Sequence, residues 1–359
     1  MEKSLKKKDK KTNKKKENKK KDVKQKKSVK RVVDDEKNTL SIHEFDTDIE
    51  TLQNKSYGII GKSGSGKTIM GRFLQYNMRE IPSAYVLCNA PKVAGFYGEY
   101  IPSENIFSDN QACEEQIELL FNRATNLSKM YNKYWVKIKN KFLDNYAEYP
   151  SQKPTFWNND IFSQFISYML DRGNILHIKK EFKKYFDLVK KLVLDNVKNG
   201  SSKNYLAIFA DCRTIIIFDD VMSEKWFNDR KGSTITDILS RGRHVYITSF
   251  FLMQNYTGLS TTARNNFSYF IVMGNVSLFN KLYEEKISSI DSTKFKRGKN
   301  NPTLSTYAKD IMSKYGAIVY VNDGRSIELN DALFYLYVPK KYVYNIKFQI
   351  GNFEDSDSD

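Results

Sequence analysis

Eight consecutive residues, Gly61, Lys62, Ser63, Gly64, Ser65, Gly66, Lys67 and Thr68, have the types and spacing of a phosphate cradle. They fit G-x-x-x-x-G-K-[ST] at every fixed position. Glycines let the backbone turn so that successive N–H groups point at phosphate oxygens. A helix starting near Lys67 adds its positive end. Lys67 reaches the β- and γ-phosphates as a point charge, and Thr68 offers a hydroxyl to Mg²⁺. Ser63 and Ser65 keep the loop small. The chemistry is the binding of ATP with its magnesium.

A second group is acidic. Ile215, Ile216, Ile217 and Phe218 lead into Asp219 and Asp220. Four apolar residues make a buried strand, and Asp219 at its end is placed to hold Mg²⁺ through water. Asp220 is then placed to orient or deprotonate an attacking water. An ordinary strand ending in acidic turn residues would read the same way alone; the loop upstream favours the site. Gln254, past another apolar run, is a neutral polar group that can contact the γ-phosphate or the water, or it is a surface glutamine.

These residues need elements to hold them. Ser56–Ile60 reads as a buried strand feeding the loop, and 68–79 as the helix after it. Residues 84–88, 214–218, 244–249 and 268–273 read as further strands, with a helix at about 233–240. Strands alternating with helices argue for an α/β fold with a mainly parallel sheet. From about 111 to 205, within an insertion of about 96–205, the chain turns rich in Lys, Asn, Tyr and Phe. Helical spacing of Ile117, Leu120, Phe121 and Ala124 predicts a helical insertion. Residues 316–350 hold strand-like runs that extend an edge.

Charge divides the chain further. The 359 residues carry +17, and residues 1–31 alone carry sixteen lysines and one arginine against four acids, a net of +13. Residues 1–38 are nearly devoid of large apolar groups and are expected to be disordered. They serve as an arm for nucleic acid, a nuclear-import signal, or a solubilising run. The ATPase domain then spans 39–353, and 354–359 is an acidic tail. Cys88, Cys113 and Cys212 are far apart, with no CxxC pair, so a reducing compartment fits and structural zinc does not. No apolar run approaches the roughly 20 residues of a membrane span, and no secretory signal opens the chain.

With these motifs in place, the sequence resembles the FtsK–HerA superfamily of DNA-pumping ATPases. It is most similar to the poxvirus-type genome-packaging ATPases of large DNA viruses. The resemblance rests on Ile59–Thr68, Ile215–Val221 and Ser240–Gln254, above all the Arg243-His244 step into a strand that ends near a glutamine. Thr262–Asn266 before the next strand fits too. It covers roughly 50–95 and 210–290. The wider superfamily usually has Glu where Asp220 stands; Asp-Asp is associated with the viral branch.

The resemblance implies a RecA-like P-loop NTPase sheet of order 5-1-4-3-2, assembled as a homo-oligomeric ring with ATP at each subunit boundary. It implies an arginine acting from the neighbour on the γ-phosphate. Arg264, Arg243 and Arg241 are the candidates, in that order, and sequence does not separate them. The expected activity is ATP hydrolysis driving double-stranded DNA into a capsid, without reading bases. Capsid or portal proteins are partners to expect, and the virion or a viral factory in the host cytoplasm is the expected location. Lys294–Lys299 is either a DNA grip or a solvated loop. Another pump or helicase of the superfamily, a P-loop kinase of a small substrate, and a non-catalytic scaffold are the rival readings.

Overall fold

Ser56–Ile60, a five-residue run of which every member is buried, is the centre of the sheet. It forms strand β3 in a computed structural model that describes residues 30–33, 39–89, 91–132, 212–224, 226–227, 230, 232–290, 302–322 and 328–339. β1 (Lys30–Val33) and β2 (Thr39–Glu44) precede it. β4 (Ser83–Cys88), β5 (Ile106–Phe107), β6 (Thr214–Asp219), β7 (Ile247–Met253), β8 (Tyr269–Met273), β9 (Gly316–Val321) and β10 (Leu333–Tyr337) follow. They make one ten-stranded sheet in the order β1-β2-β10-β9-β8-β3-β7-β6-β4-β5. From β8 to β5 every pairing is parallel. Numbered from the strand that enters the glycine loop, the first five strands of that block lie as 5-1-4-3-2. β9 and β10 add on antiparallel, and β2 returns parallel to β10.

Side chains alternate between the two faces of each strand, so continuous apolar strands feed two cores. Tyr57, Ile59, Ile215, Ile217, Phe250 and Leu252 fill one. Ile60, Ile216, Phe218, Phe251, Met253 and Phe270 fill the other. This is the pattern of a parallel sheet covered on both sides. Phe218 and Phe251 are cross-strand partners, stacked with centroids 4.3 Å apart.

The helices divide between the faces. After α1 (Ile49–Leu52), α2 (Lys67–Asn77) buries Met70, Phe73 and Leu74 in the first core, and α3 (Pro91–Gly98) adds Tyr97 to it. The second face takes α4 (Asn110–Met130), α5 (Thr234–Arg241), α6 (Thr261–Asn266), α7 (Val276–Leu282) and α8 (Pro302–Ser313). There Ile117, Leu120, Phe121 and Ala124 of α4 are buried, as their spacing predicts. Asp109, Ser233 and Ser260 cap α4, α5 and α6 with side-chain oxygens that accept from backbone N–H groups. No helix among the described residues is long and apolar enough to cross a membrane.

Three sequence expectations need correction. Lys30–Val33, placed in the disordered tail, pairs antiparallel with Thr39–Ile42; its two valines follow a lysine-rich stretch whose average hides them. The stretch from 96 is not helical from its start, because Ile106–Phe107 pairs with Val86–Leu87 and widens the sheet. The strand expected over 244–249 starts later. Gly242–Val245 forms a 3₁₀ turn, and Tyr246 takes a left-handed φ of 61° before β7 begins at Ile247. That turn is fixed by the Tyr246 hydroxyl donating to Asn132 Oδ1 at 2.8 Å and by its edge-on contact with Tyr131. Residues 1–29, 133–211, Lys294–Lys299 and 354–359, which carry the rest of the tail, most of the insertion, the basic run and the acidic end, lie outside the described residues.

Candidate nucleotide site

β3 ends where the loop begins, and the Gly61 N–H donates to Met253 O at 3.1 Å, anchoring the loop to the end of β7. Gly64 and Gly66 take φ of +74° and +89°, values L side chains rarely adopt. A Cβ on Gly61 would collide with the Ser65 side chain and come within 3.1 Å of Met273 O. The loop therefore needs glycine where the motif has it. Gly66 caps α2 with no side-chain partner, and the first turn holds no acid, so the positive helix end faces the loop uncompensated. Lys62, Ser63 and Gly64 are exposed at the tip.

The Lys67 ammonium donates to Gly61 O at 2.9 Å and Lys62 O at 3.3 Å, folding back over the loop. Burial lowers its pKa, and the charges of Asp220 and Asp219 oppose that shift. Both acids are therefore within electrostatic reach of Lys67. The strand register explains why. Ile59 pairs with Leu252, and Leu252 with Asp219, so all three share one row across β3, β7 and β6. Two inter-strand steps put Asp219 about 10 Å across from β3.

Asp219 is 5% exposed. Burial raises its pKa; a hydrogen bond from Tyr97 and the charge of Lys67 lower it, and Asp220 raises it. The Tyr97 hydroxyl donates to Asp219 Oδ2 at 2.8 Å. Asp220 follows with a left-handed φ of 57°, its N–H donating to Leu252 O at 3.0 Å. This turn aims its exposed carboxylate at Gln254, whose Nε2 donates to Asp220 Oδ2 at 2.9 Å. The three polar residues expected from sequence thus meet at the carboxyl ends of β6 and β7, beside the loop. The donor set suits a triphosphate with a hard divalent cation. Backbone amides, the helix end and Lys67 would meet phosphate oxygens, and the Thr68 hydroxyl with the Asp219 carboxylate would supply oxygen for the metal.

The three arginines fall elsewhere. Arg241 and Arg243 stand at the start of β7, whereas the loop sits at its end; seven residues separate them by about 20 Å. Arg241 pairs with Asp237 at 3.4 Å and lies over the Phe121 ring. Arg243 is exposed, its Nε donating to His244 Nε2 at 3.2 Å. Arg264 donates to Glu285 Oε1 at 2.9 Å and to Leu259 O at 2.7 Å.

Sequence reasoning missed two residues. Gly274 ends β8 with φ +63°, and a Cβ there would come within 2.8 Å of Ser65 Cβ, so it lets the loop pack against the strand end. An isolated glycine after an apolar run was the available signal. Tyr97 was missed because nothing local in Phe96-Tyr97 points to an aspartate 122 residues away.

Residues 170–296 match the family model of the Poxvirus A32 protein. The match spans about a third of the chain. The matched segment takes in β6, α5, β7, α6 and β8, and with them Asp219, Asp220, Gln254 and all three arginines. It does not include the glycine loop. It begins at 170, inside the stretch that sequence set outside the resemblance. A curated relative, "Uncharacterized protein 088R" of Invertebrate iridescent virus 3, is 45% identical over 62 residues; these are 16% of this chain and 24% of that protein, so the chain spans about a quarter of the relative. Among solved structures, the genome packaging NTPase B204 from Sulfolobus turreted icosahedral virus 2 in complex with ATP-gammaS aligns over 81% of this chain and 98% of its own. The identity is 10% and the TM-score 0.38. EssC (ATPases 2 and 3) from Geobacillus thermodenitrificans aligns over 68% of this chain and 36% of its own, at 11% identity and TM-score 0.37. At these scores nothing transfers residue by residue.

Proposed function

We propose that this chain is an ATP-hydrolysing translocase that packages viral double-stranded DNA into a capsid, built on a RecA-like sheet. The observation that carries the hydrolytic half is the Gln254–Asp220 hydrogen bond beside the glycine loop. It joins a carboxylate able to take a proton to an amide able to sense what sits on the γ-phosphate. The viral packaging half is supported by the match of residues 170–296 to the Poxvirus A32 model, a span that holds these same residues.

In this reading the loop amides and Lys67 hold the β- and γ-phosphates. Thr68 and Asp219 would hold magnesium, which when bound offsets charge on the phosphate oxygens. Asp220 orients the attacking water and accepts its proton, while Gln254 fixes the carboxylate. Arg264 is spent on Glu285 and a backbone carbonyl, so it yields first place to Arg243. Arg243 lines a pocket of about 440 Å³ with Lys55, Asn265, Asn266 and Asn322, and among the described residues no carboxylate lines that pocket. It lies too far from its own loop to serve it, so it would serve the site of a neighbour in a ring.

The test is ATPase rate against duplex DNA concentration at two salt levels. The expected result is acceleration by DNA of any sequence, weakening steeply with salt. A rate indifferent to DNA would favour a small-substrate kinase and overturn the packaging reading.

A further inference from the structure

A buried carboxylate needs donors, and Asp219 draws one from outside its own strand. The Tyr97 hydroxyl donates to Asp219 Oδ2 at 2.8 Å. Tyr97 is fully buried in α3. Its ring meets Phe96 edge-on and lies 6.0 Å from that of Tyr100. The same turn is fixed to α2. The Tyr100 hydroxyl donates to buried Gln75 Oε1 at 2.9 Å. The Arg72 guanidinium lies over the Tyr100 ring at 4.6 Å and the Phe96 ring at 5.1 Å, and pairs with Glu99 at 2.7 Å. Arg72 and Gln75 belong to the helix that opens with Lys67 and Thr68.

One aromatic turn therefore touches both halves of the nucleotide site. Packing alone asks only for the ring, and phenylalanine would supply it. The hydroxyl is the part packing does not need, and it is aimed at the site carboxylate.

We propose that Tyr97 is a positioning residue for the magnesium site: its hydroxyl holds Asp219 Oδ2 and leaves the other oxygen for the metal. The inference rests on the nucleotide reading above. It makes the α3 turn a strut that sets the distance between the phosphate loop and the metal-facing aspartate.

The test uses the full chain and a fluorescent ATP analogue, titrated with magnesium and with EDTA. In the wild type, magnesium is expected to tighten binding. Tyr97→Phe should leave the EDTA affinity within about twofold and cut the magnesium-dependent gain about tenfold, the lower end of the cost of losing a group behind a metal ligand. Equal weakening with and without magnesium would mark Tyr97 as merely structural and overturn the proposal. So would an unchanged gain. Failure of the wild type to bind the analogue under either condition would overturn the nucleotide reading and this proposal together.

Should Tyr97→Phe not fold, the comparison moves to Asp219→Asn with and without Tyr97→Phe. There the lost hydroxyl strands no buried charge. The account expects the second change to add nothing to the magnesium dependence; a further loss overturns it.

Discussion

The acid pair divides labour by environment. Asp219 is buried and Asp220 is exposed, although they are neighbours in sequence. Because burial raises the Asp219 pKa above its unfolded value, the folded state holds its proton more tightly than the unfolded chain does. Its ionised form therefore costs stability, fully above the raised pKa and not at all below the ordinary carboxylate value of about 4. Asp219→Asn is expected to melt higher than wild type at neutral pH without nucleotide, and the gain should vanish near pH 4. Thermal unfolding at the two pH values checks this; a variant that melts lower at pH 7 contradicts it. Asp220→Asn should behave differently, lowering turnover about 10²–10⁴-fold with nucleotide binding intact. Lys67→Ala should lose binding itself. Single-turnover phosphate release beside analogue binding separates the three. At this scale the sequence was generous, since the loop, both aspartates and Gln254 are near one another in the chain or follow strands. Tyr97 was hidden because its partner is fixed only by the sheet register.

Elements show where local reading stops. The five central strands were legible because each is a run of apolar residues ended by a turn. β5 was not, because two residues, Ile106 and Phe107, leave no period to detect. The start of β7 was misplaced because His244, Val245 and Tyr246 favour strand by composition. The left-handed Tyr246 turn there depends on Tyr131 and Asn132, far off in the chain. Gly274 is the element-scale prediction. Gly274→Ala puts a Cβ at positive φ against Ser65, so about 1–3 kcal/mol of strain is expected, delivered to the phosphate loop. Chemical denaturation should register the loss, and analogue affinity should fall with it. Unchanged affinity would mean the strand end does not support the loop.

Across the whole molecule, the sheet places two chemistries at opposite ends. The residues proposed to hold the nucleotide gather at the carboxyl ends of the parallel strands, and Arg243 with Lys55 sits at the entry ends. A ring in which one subunit's entry end meets the next subunit's nucleotide would use both. Arg243→Ala should then cut DNA-stimulated turnover about 10³–10⁵-fold with binding intact. Mixing it with Lys67→Ala subunits should restore part of the rate, since some boundaries would pair an intact loop with an intact arginine. Mixtures no better than their components would contradict a shared site. None of this end-to-end arrangement was legible before the strand order was known, because the arginines and Gln254 are close in sequence and separated by the length of β7. The most direct test of the central claim is displacement of a third strand from duplex DNA by the full chain. The account predicts displacement that requires ATP hydrolysis, ignores flanking sequence and disappears in Lys67→Ala. ATP turnover with the third strand left in place would contradict it.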